Sequence, residues 1–191
     1  MSLEQWALKP SELKPLTRAG KLRFMVRCAL RAERWVPAGA TDAFAAALAH
    51  VLADRPSPSL ARELNARGVS AHDAESDEPS ARCLHSATSA AREALLTLEL
   101  DGPAFTRGVI GVAKLTASIP AVLAHAGRLT APRGEDVVTR SCVAAWDALR
   151  LDVDWLATAP TASLEELRAR PLWKVAPEWA GPLTPASRRG G

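Results

Sequence analysis

The chain has 191 residues, of which 48% are hydrophobic and 24% are charged. These are ordinary proportions for a globular protein, and a chain of this length buries enough surface to fold without a metal ion or a disulfide. The net charge of +3 is too small to require a nucleic-acid partner by itself. Alanine and leucine carry most of the apolar share, which favours helices over strands.

The N-terminal residues, 1–16, are interrupted by prolines, and we predict an irregular segment there. The first ten residues, MSLEQWALKP, lack the basic segment and apolar run of a secretory signal, so we expect a cytoplasmic protein. A first helix is predicted from about Thr17 to Val36, since Pro37 cannot continue it.

A stripe of positive charge runs along this first helix. Arg23, Arg27 and Arg31 follow one another at four-residue steps, and Arg34 lies one turn further on. Such a stripe could pair internally with acidic residues of the same chain, contact an acidic protein or follow a phosphate backbone. Aromatic side chains do not interleave with the arginines, so we expect no nucleic-acid partner. All four arginines are candidate partner-binding residues.

The next two helices are followed by a charged loop. Thr41 is the predicted N-cap of the second helix, and the third is predicted from Pro58 to Arg67, ending at Gly68. The segment HDAESDEPS, residues 72–80, is too charged for a core and predicts a polar loop. Its carboxylates Asp73 and Glu75 are further candidates for partner contact.

Three long helices follow, each with one apolar face. They are predicted from about Pro79 to Leu100, Pro103 to Gly127 and Glu135 to Ala159. Segment 109–127 has the length of a membrane span but carries polar residues on one side, so we predict a buried helix, kinked at Pro120. One apolar face per helix predicts an all-α, single-domain bundle of six to seven helices over residues 1–191.

The C-terminal part begins with a short helix and ends in a tail. The sequence SLEE, with Ser163 and Glu166 as a capping-box pair, starts the last helix. Residues 171–191 are predicted to be extended, with Trp173 and Trp179 on one side of the strand-like stretch. Burial of both tryptophans against the bundle and exposure of one or both as binding anchors are the two interpretations.

Motifs that carry chemistry are missing from the sequence. The four histidines lie on separate predicted elements, so no metal site is expected. Serine nucleophile motifs and phosphate-binding glycine loops are also missing, and we expect no catalytic residue and no cofactor.

Several alanine-rich stretches share a pattern with a known family. They are RCALRAERWVPAGATDAFAAALAHVLA (27–53), SARCLHSATSAAREALL (80–96) and VAKLTASIPAVLAHAG (112–127). Over residues 20–127 this order resembles the all-helical immunity proteins of bacterial polymorphic-toxin systems, in which a helix with a Cys-Ala-x-Arg-like pattern precedes alanine-rich helices. Cys28, Ala29, Arg31 and Glu33 carry the likeness. The resemblance implies a protein that neutralises a cognate protein toxin by binding it, without catalysis and without a cofactor.

Other classes of function stay open at this point. A helical scaffolding module that forms a homodimer through an exposed helix face is the main alternative. An enzyme whose residues assemble only in three dimensions and a nucleic-acid-binding regulator are the others. The predicted partner is therefore a protein, with neither nucleic acid nor a membrane as a partner.

Overall fold

Seven α-helices account for most of the chain that the computed structural model describes, which is residues 3–36, 38–74, 79–125 and 137–171. They are α1 (Arg18–Ala32), α2 (Thr41–Leu52), α3 (Pro58–Ala74), α4 (Pro79–Thr97), α5 (Gly102–His125), α6 (Val137–Thr158) and α7 (Leu164–Ala169). Four short 3-10 helices accompany them: Leu3–Trp6 and Pro10–Leu13 precede α1, and Glu33–Trp35 and Ala38–Ala40 lie between α1 and α2. These residues contain no strand, and the all-α prediction is confirmed.

Helix α1 lies at the centre of the bundle. It packs against α2, α4, α5, α6 and α7, and every residue from Phe24 to Ala32 is buried. A helix that is surrounded on all sides has no solvent face along its central turns. Any charged side chain on those turns must therefore find its partners inside the protein.

Local sequence explains where α1 and α7 begin. The predicted start of α1, at about Thr17, agrees with the structure, where the Thr17 hydroxyl accepts a hydrogen bond from the backbone N–H of Gly20 at 3.1 Å and Thr17 is the N-cap. At α7, Ser163 and Glu166 form the predicted capping box: the Ser163 hydroxyl accepts from the Glu166 N–H at 3.2 Å, and the Glu166 carboxylate accepts from the Ser163 N–H at 2.6 Å.

Helices α2 and α3 differ from the sequence predictions. Thr41 is the first helical residue and not the N-cap, because its hydroxyl donates to the Ala38 carbonyl at 3.2 Å, and Ala40 takes the N-cap position. Helix α3 passes through Gly68 and continues to Ala74. Gly68 is buried inside the helix, although glycine weakens a helix interior by roughly 1 kcal/mol relative to alanine. Residues 72–74 and 79–80 of the predicted loop are thus helical, and 75–78 lie outside the described residues.

The long helices α4, α5 and α6 contribute most of the remaining core. Helix α5 runs unbroken through Pro120, and its residues Val109, Val112 and Ile119 are buried. In the four described segments, no helix has both the length and the apolar composition that a membrane crossing requires. The apolar face predicted for α6 is confirmed at Trp146 and Leu149, which are both buried.

Candidate functional site

Two of the candidate arginines form a cluster in the protein interior. Arg27 and Arg31 of α1 and Asp152 of α6 make up this buried arginine cluster, and all three side chains are at most 3% exposed. The Arg27 guanidinium donates from Nε and Nη2 to Asp152 Oδ1 at 3.1 and 2.9 Å. Arg31 Nη1 donates to the other carboxylate oxygen, Oδ2. One carboxylate thus joins two arginines that lie one helical turn apart.

The remaining donors of Arg27 bind the backbone at the C-terminal end of α7. Arg27 Nη1 donates to the carbonyls of Leu167 and Arg170 at 2.7 and 2.8 Å, and Nη2 donates to that of Pro171 at 2.9 Å. Carbonyl dipoles at a helix C-terminus stabilise a positive charge. The side chain of Arg27 therefore holds the last described part of the chain against the bundle.

Burial shifts the pKa of Arg27, in this cluster, and that of Cys28 beside it. Desolvation lowers the pKa of the Arg27 guanidinium from its ordinary value, and the hydrogen bond to Asp152 opposes that shift. Arginine still keeps its charge at neutral pH. Burial raises the pKa of the neighbouring Cys28 thiol to about 12, so this thiol is protonated at neutral pH and is a poor nucleophile.

Internal pairing was one of the interpretations of the arginine stripe, and the structure shows it for Arg27 and Arg31, whose carboxylate partner is Asp152 of α6. Arg27 and Arg31 are buried and do not reach a surface that a partner protein could contact. Arg23 is half-buried and donates from Nε to the Ala162 carbonyl at 2.8 Å. Arg34 is exposed, with its guanidinium carbon 5.0 Å from the centre of the Trp35 ring. Of the four candidates, only Arg34 is exposed.

The other predicted contact residues are not placed by the structure. Asp73 belongs to α3, but its side chain is outside the described part of the chain. Glu75, Trp173 and Trp179 lie outside the described residues altogether. Their role in binding stays a prediction.

Asp152 is the residue of the cluster that sequence reasoning missed. Among the described side chains of α6 it is the only charged residue on the apolar side, one turn from Leu149 and one turn from Leu156, both of which are buried. A single carboxylate on an apolar helix face signals a buried partner of opposite charge.

The described residues hold no group of three or more histidine, cysteine, aspartate or glutamate side chains placed to bind a metal ion. His50 forms a hydrogen bond between Nδ1 and the Arg55 carbonyl at 3.1 Å. Arg23, Arg27, Arg31, Asp152 and His50 each have a partner that belongs to the fold itself.

A different surface is open to solvent on the outer side of α6. Six residues among the described side chains of α6 are exposed, and one of them, Ala157, lies to one side of the other five. We define the α6 outer face by those five, Ala144, Asp147, Leu151, Asp154 and Thr158. They recur at alternating steps of three and four residues, so they form one line along the helix. Leu151 is 44% exposed, and the only other large hydrophobic residue exposed to a similar degree among the described ones is Leu100, at 38%.

The two edges of this face carry different kinds of side chain. On the Asp147 edge, Arg150 donates to Asp147 at 3.2 Å and to Glu12 at 2.8 Å. Burial raises the pKa of the Glu12 carboxyl, but hydrogen bonds from the Lys9 backbone N–H and from Arg150 outweigh it, and the pKa lies below its ordinary value.

The opposite edge of the α6 outer face carries an aromatic ring. Trp155 is half-buried, and the guanidinium carbon of Arg170 lies 4.6 Å from the centre of its ring, a distance typical of a cation–π contact. That of Arg27 is 5.9 Å from the same ring. Trp155 thus links the outer face to the buried arginine cluster.

Comparison with known proteins gives no relative. No protein-family model, curated protein or solved structure is detectably similar to this chain. Function must therefore be argued from the side chains themselves.

Proposed function

We propose that this chain is an immunity-type protein of the cytoplasm that binds and neutralises a cognate protein toxin without catalysis. The observation that carries the proposal is the α6 outer face, where Leu151 is 44% exposed on a helix that is otherwise packed into the bundle. Protein interfaces combine an apolar centre with a polar rim, and on this face Leu151 is a large apolar side chain with Asp147 and Asp154 beside it.

The arrangement of the arginines favours a protein partner over a nucleic acid. Phosphate binding needs accessible Lys and Arg side chains, whereas Arg27 and Arg31 are buried. Arg18 is engaged by Asp54 in a two-point contact at 2.7 and 2.9 Å. These three cations bind groups of their own chain.

Co-expression with a toxin tests the proposal. The gene should lie beside a long toxin-like reading frame, and the two products should co-purify. Cells that express the toxin should die without this protein and grow with it. Survival of toxin-expressing cells in the absence of this protein would remove the proposal.

A homodimeric scaffold is the second candidate, because an exposed leucine on a helix face is also what a dimer interface needs. Light scattering over a concentration series separates the two. A dimer that persists to low micromolar concentration favours the scaffold, and a monomer at all concentrations excludes it.

A further inference from the structure

The spacing of the α6 outer face matches that of a helix seam. Its five residues, Ala144 to Thr158, follow the 3-4-3-4 spacing by which one helix packs along another at a small crossing angle. Within the described residues, α6 packs mainly against α5 and α1, and these contacts use its opposite, buried side. These five side chains are exposed, so no helix within the described residues covers them.

The residues of the seam specify the chemistry of a helix that would pack along it. Leu151 is central, and carboxylates lie one turn to either side of it, at Asp147 and Asp154. The Asp147 side chain is 64% exposed although Arg150 contacts it, and Asp154 is exposed with no ion-pair partner among the described side chains. An aliphatic residue flanked at both turns by lysine or arginine would complement these three positions.

A second copy of the same face does not satisfy this pattern. In a parallel pairing each aspartate would face its own equivalent, and in an antiparallel pairing centred on Leu151 each would face the other aspartate. Like charges placed opposite one another destabilise a helix pair. The charges thus select a different, basic partner.

We propose that the α6 outer face docks a basic amphipathic helix of the partner protein, with an aliphatic side chain against Leu151 and basic side chains against Asp147 and Asp154. This rests on the proposed function, in that it assumes a protein partner. It specifies which surface of this chain binds the partner, that the bound segment is a helix, and that this helix is basic. A membrane or a second copy of the chain would produce different results in the test below.

The test uses the full chain and two synthetic helical peptides of 21 residues. Both peptides carry leucine along one seam, and the flanking positions are lysine in the first and glutamate in the second. Binding is followed by NMR of labelled leucine methyl groups. The lysine peptide should shift the Leu151 methyl signals and leave those of Leu100, the other exposed leucine, unchanged.

Charge reversal gives the sharpest arm of this test. The double variant D147K/D154K should bind the lysine peptide at least tenfold more weakly and should bind the glutamate peptide better than the unmodified chain does. Leu151→Ser should also weaken binding of the lysine peptide, and Leu100→Ser should not. All of these side chains are exposed, so circular dichroism and the thermal midpoint should report intact folding in each variant.

Three results of the peptide experiment itself would overturn the inference, and two further results, given after them, would also reject it. The three are equal shifts at Leu151 and Leu100, equal affinity for the two peptides, and Leu151 signals that move with protein concentration alone, which would indicate a second copy. Shifts at Leu151 with lipid vesicles but with neither peptide would also reject it. If the unmodified protein and D147K/D154K protect toxin-expressing cells equally, this surface is not the interface although the proposed function stands. If the unmodified protein does not protect toxin-expressing cells, the proposed function is wrong. The peptide experiment then decides independently whether the α6 outer face binds a basic helix.

Discussion

Replacing Asp152 with asparagine should destabilise the protein strongly, because it removes the one carboxylate that Arg27 and Arg31 share in the buried arginine cluster. Both guanidinium groups would stay buried while the attraction between opposite charges is lost. Breaking a buried ion pair by removing one partner typically costs about 3–5 kcal/mol. For a chain of this size, that corresponds to a fall in Tm of roughly 6–20 °C.

The measurement is urea denaturation followed by circular dichroism, with the free energy of unfolding compared between variants. Asp154→Asn is the matched control, since Asp154 is two residues away on the same helix, exposed and without an ion-pair partner. It should change the free energy of unfolding by no more than about 0.5 kcal/mol. A loss below about 1 kcal/mol for Asp152→Asn would refute the claim that this carboxylate holds the cluster together.

A double-mutant cycle with Arg31 isolates the pairwise contribution. Arg31→Met should cost less in the Asp152→Asn background than in the unmodified protein, because the ion pair is then already broken. Residues in one salt-bridge network show interaction energies of about 0.5–3 kcal/mol. Simple additivity of the two substitutions would show that Arg31 and Asp152 act independently.

The other predictions concern three separate sites. Gly108→Ala should destabilise the protein by about 1–3 kcal/mol, because a Cβ atom there would lie 2.5 Å from the Thr97 hydroxyl oxygen. At Gly111 the nearest side-chain atom would be 4.0 Å away, so Gly111→Ala should stabilise the helix by up to about 1 kcal/mol. Thermal denaturation of the two variants compares these effects. Glu12→Gln should lower the free energy of unfolding at pH 7 by about 1 kcal/mol or less. Because the folded-state pKa of Glu12 is lowered, the difference in stability between the variant and the unmodified protein should vanish as the pH falls through that pKa. Urea denaturation at pH 7 and at pH 3 tests whether the difference shrinks at the lower pH. The Cys28 thiol, with its pKa raised to about 12 by burial, should resist iodoacetamide in the native protein and react after unfolding, as peptide mass spectrometry will show.

Helix positions were predictable because each helix carries an apolar face that repeats at the helical period. The start of α7 was predictable from Ser163, whose side chain makes the expected capping bond. The start of α1 was placed at about Thr17, and the structure adds that the Thr17 side chain is the cap. The end of α3 was not, because the signal at Gly68 is local, whereas the helix is continued by packing. At Thr41 the sequence also gave the wrong cap, since its hydroxyl donates backwards to Ala38.

The position of the arginines could not be read from helical spacing alone. Arg23, Arg27 and Arg31 form one line on α1, as a solvent-facing stripe would, and burial depends on how many helices surround that line. Asp152 is the residue that could have indicated the burial of the arginines, because a carboxylate on the apolar side of α6 requires a buried cation. The α6 outer face was predictable as a polar face, but the exposure of Leu151 depends on which neighbours the fold leaves out.

Arg27 fastens the end of α7 through main-chain oxygens, at Leu167, Arg170 and Pro171, and every residue type supplies such an oxygen. The attachment through Arg27 therefore does not depend on the side chains along 168–171, although Arg168 and Arg170 make separate contacts with Glu33 and Trp155. The opposite holds at Arg27, since lysine has one nitrogen and cannot reach acceptors spread across both sides of a planar guanidinium. This attachment therefore tolerates a change of side chain on its backbone side and does not tolerate one at Arg27.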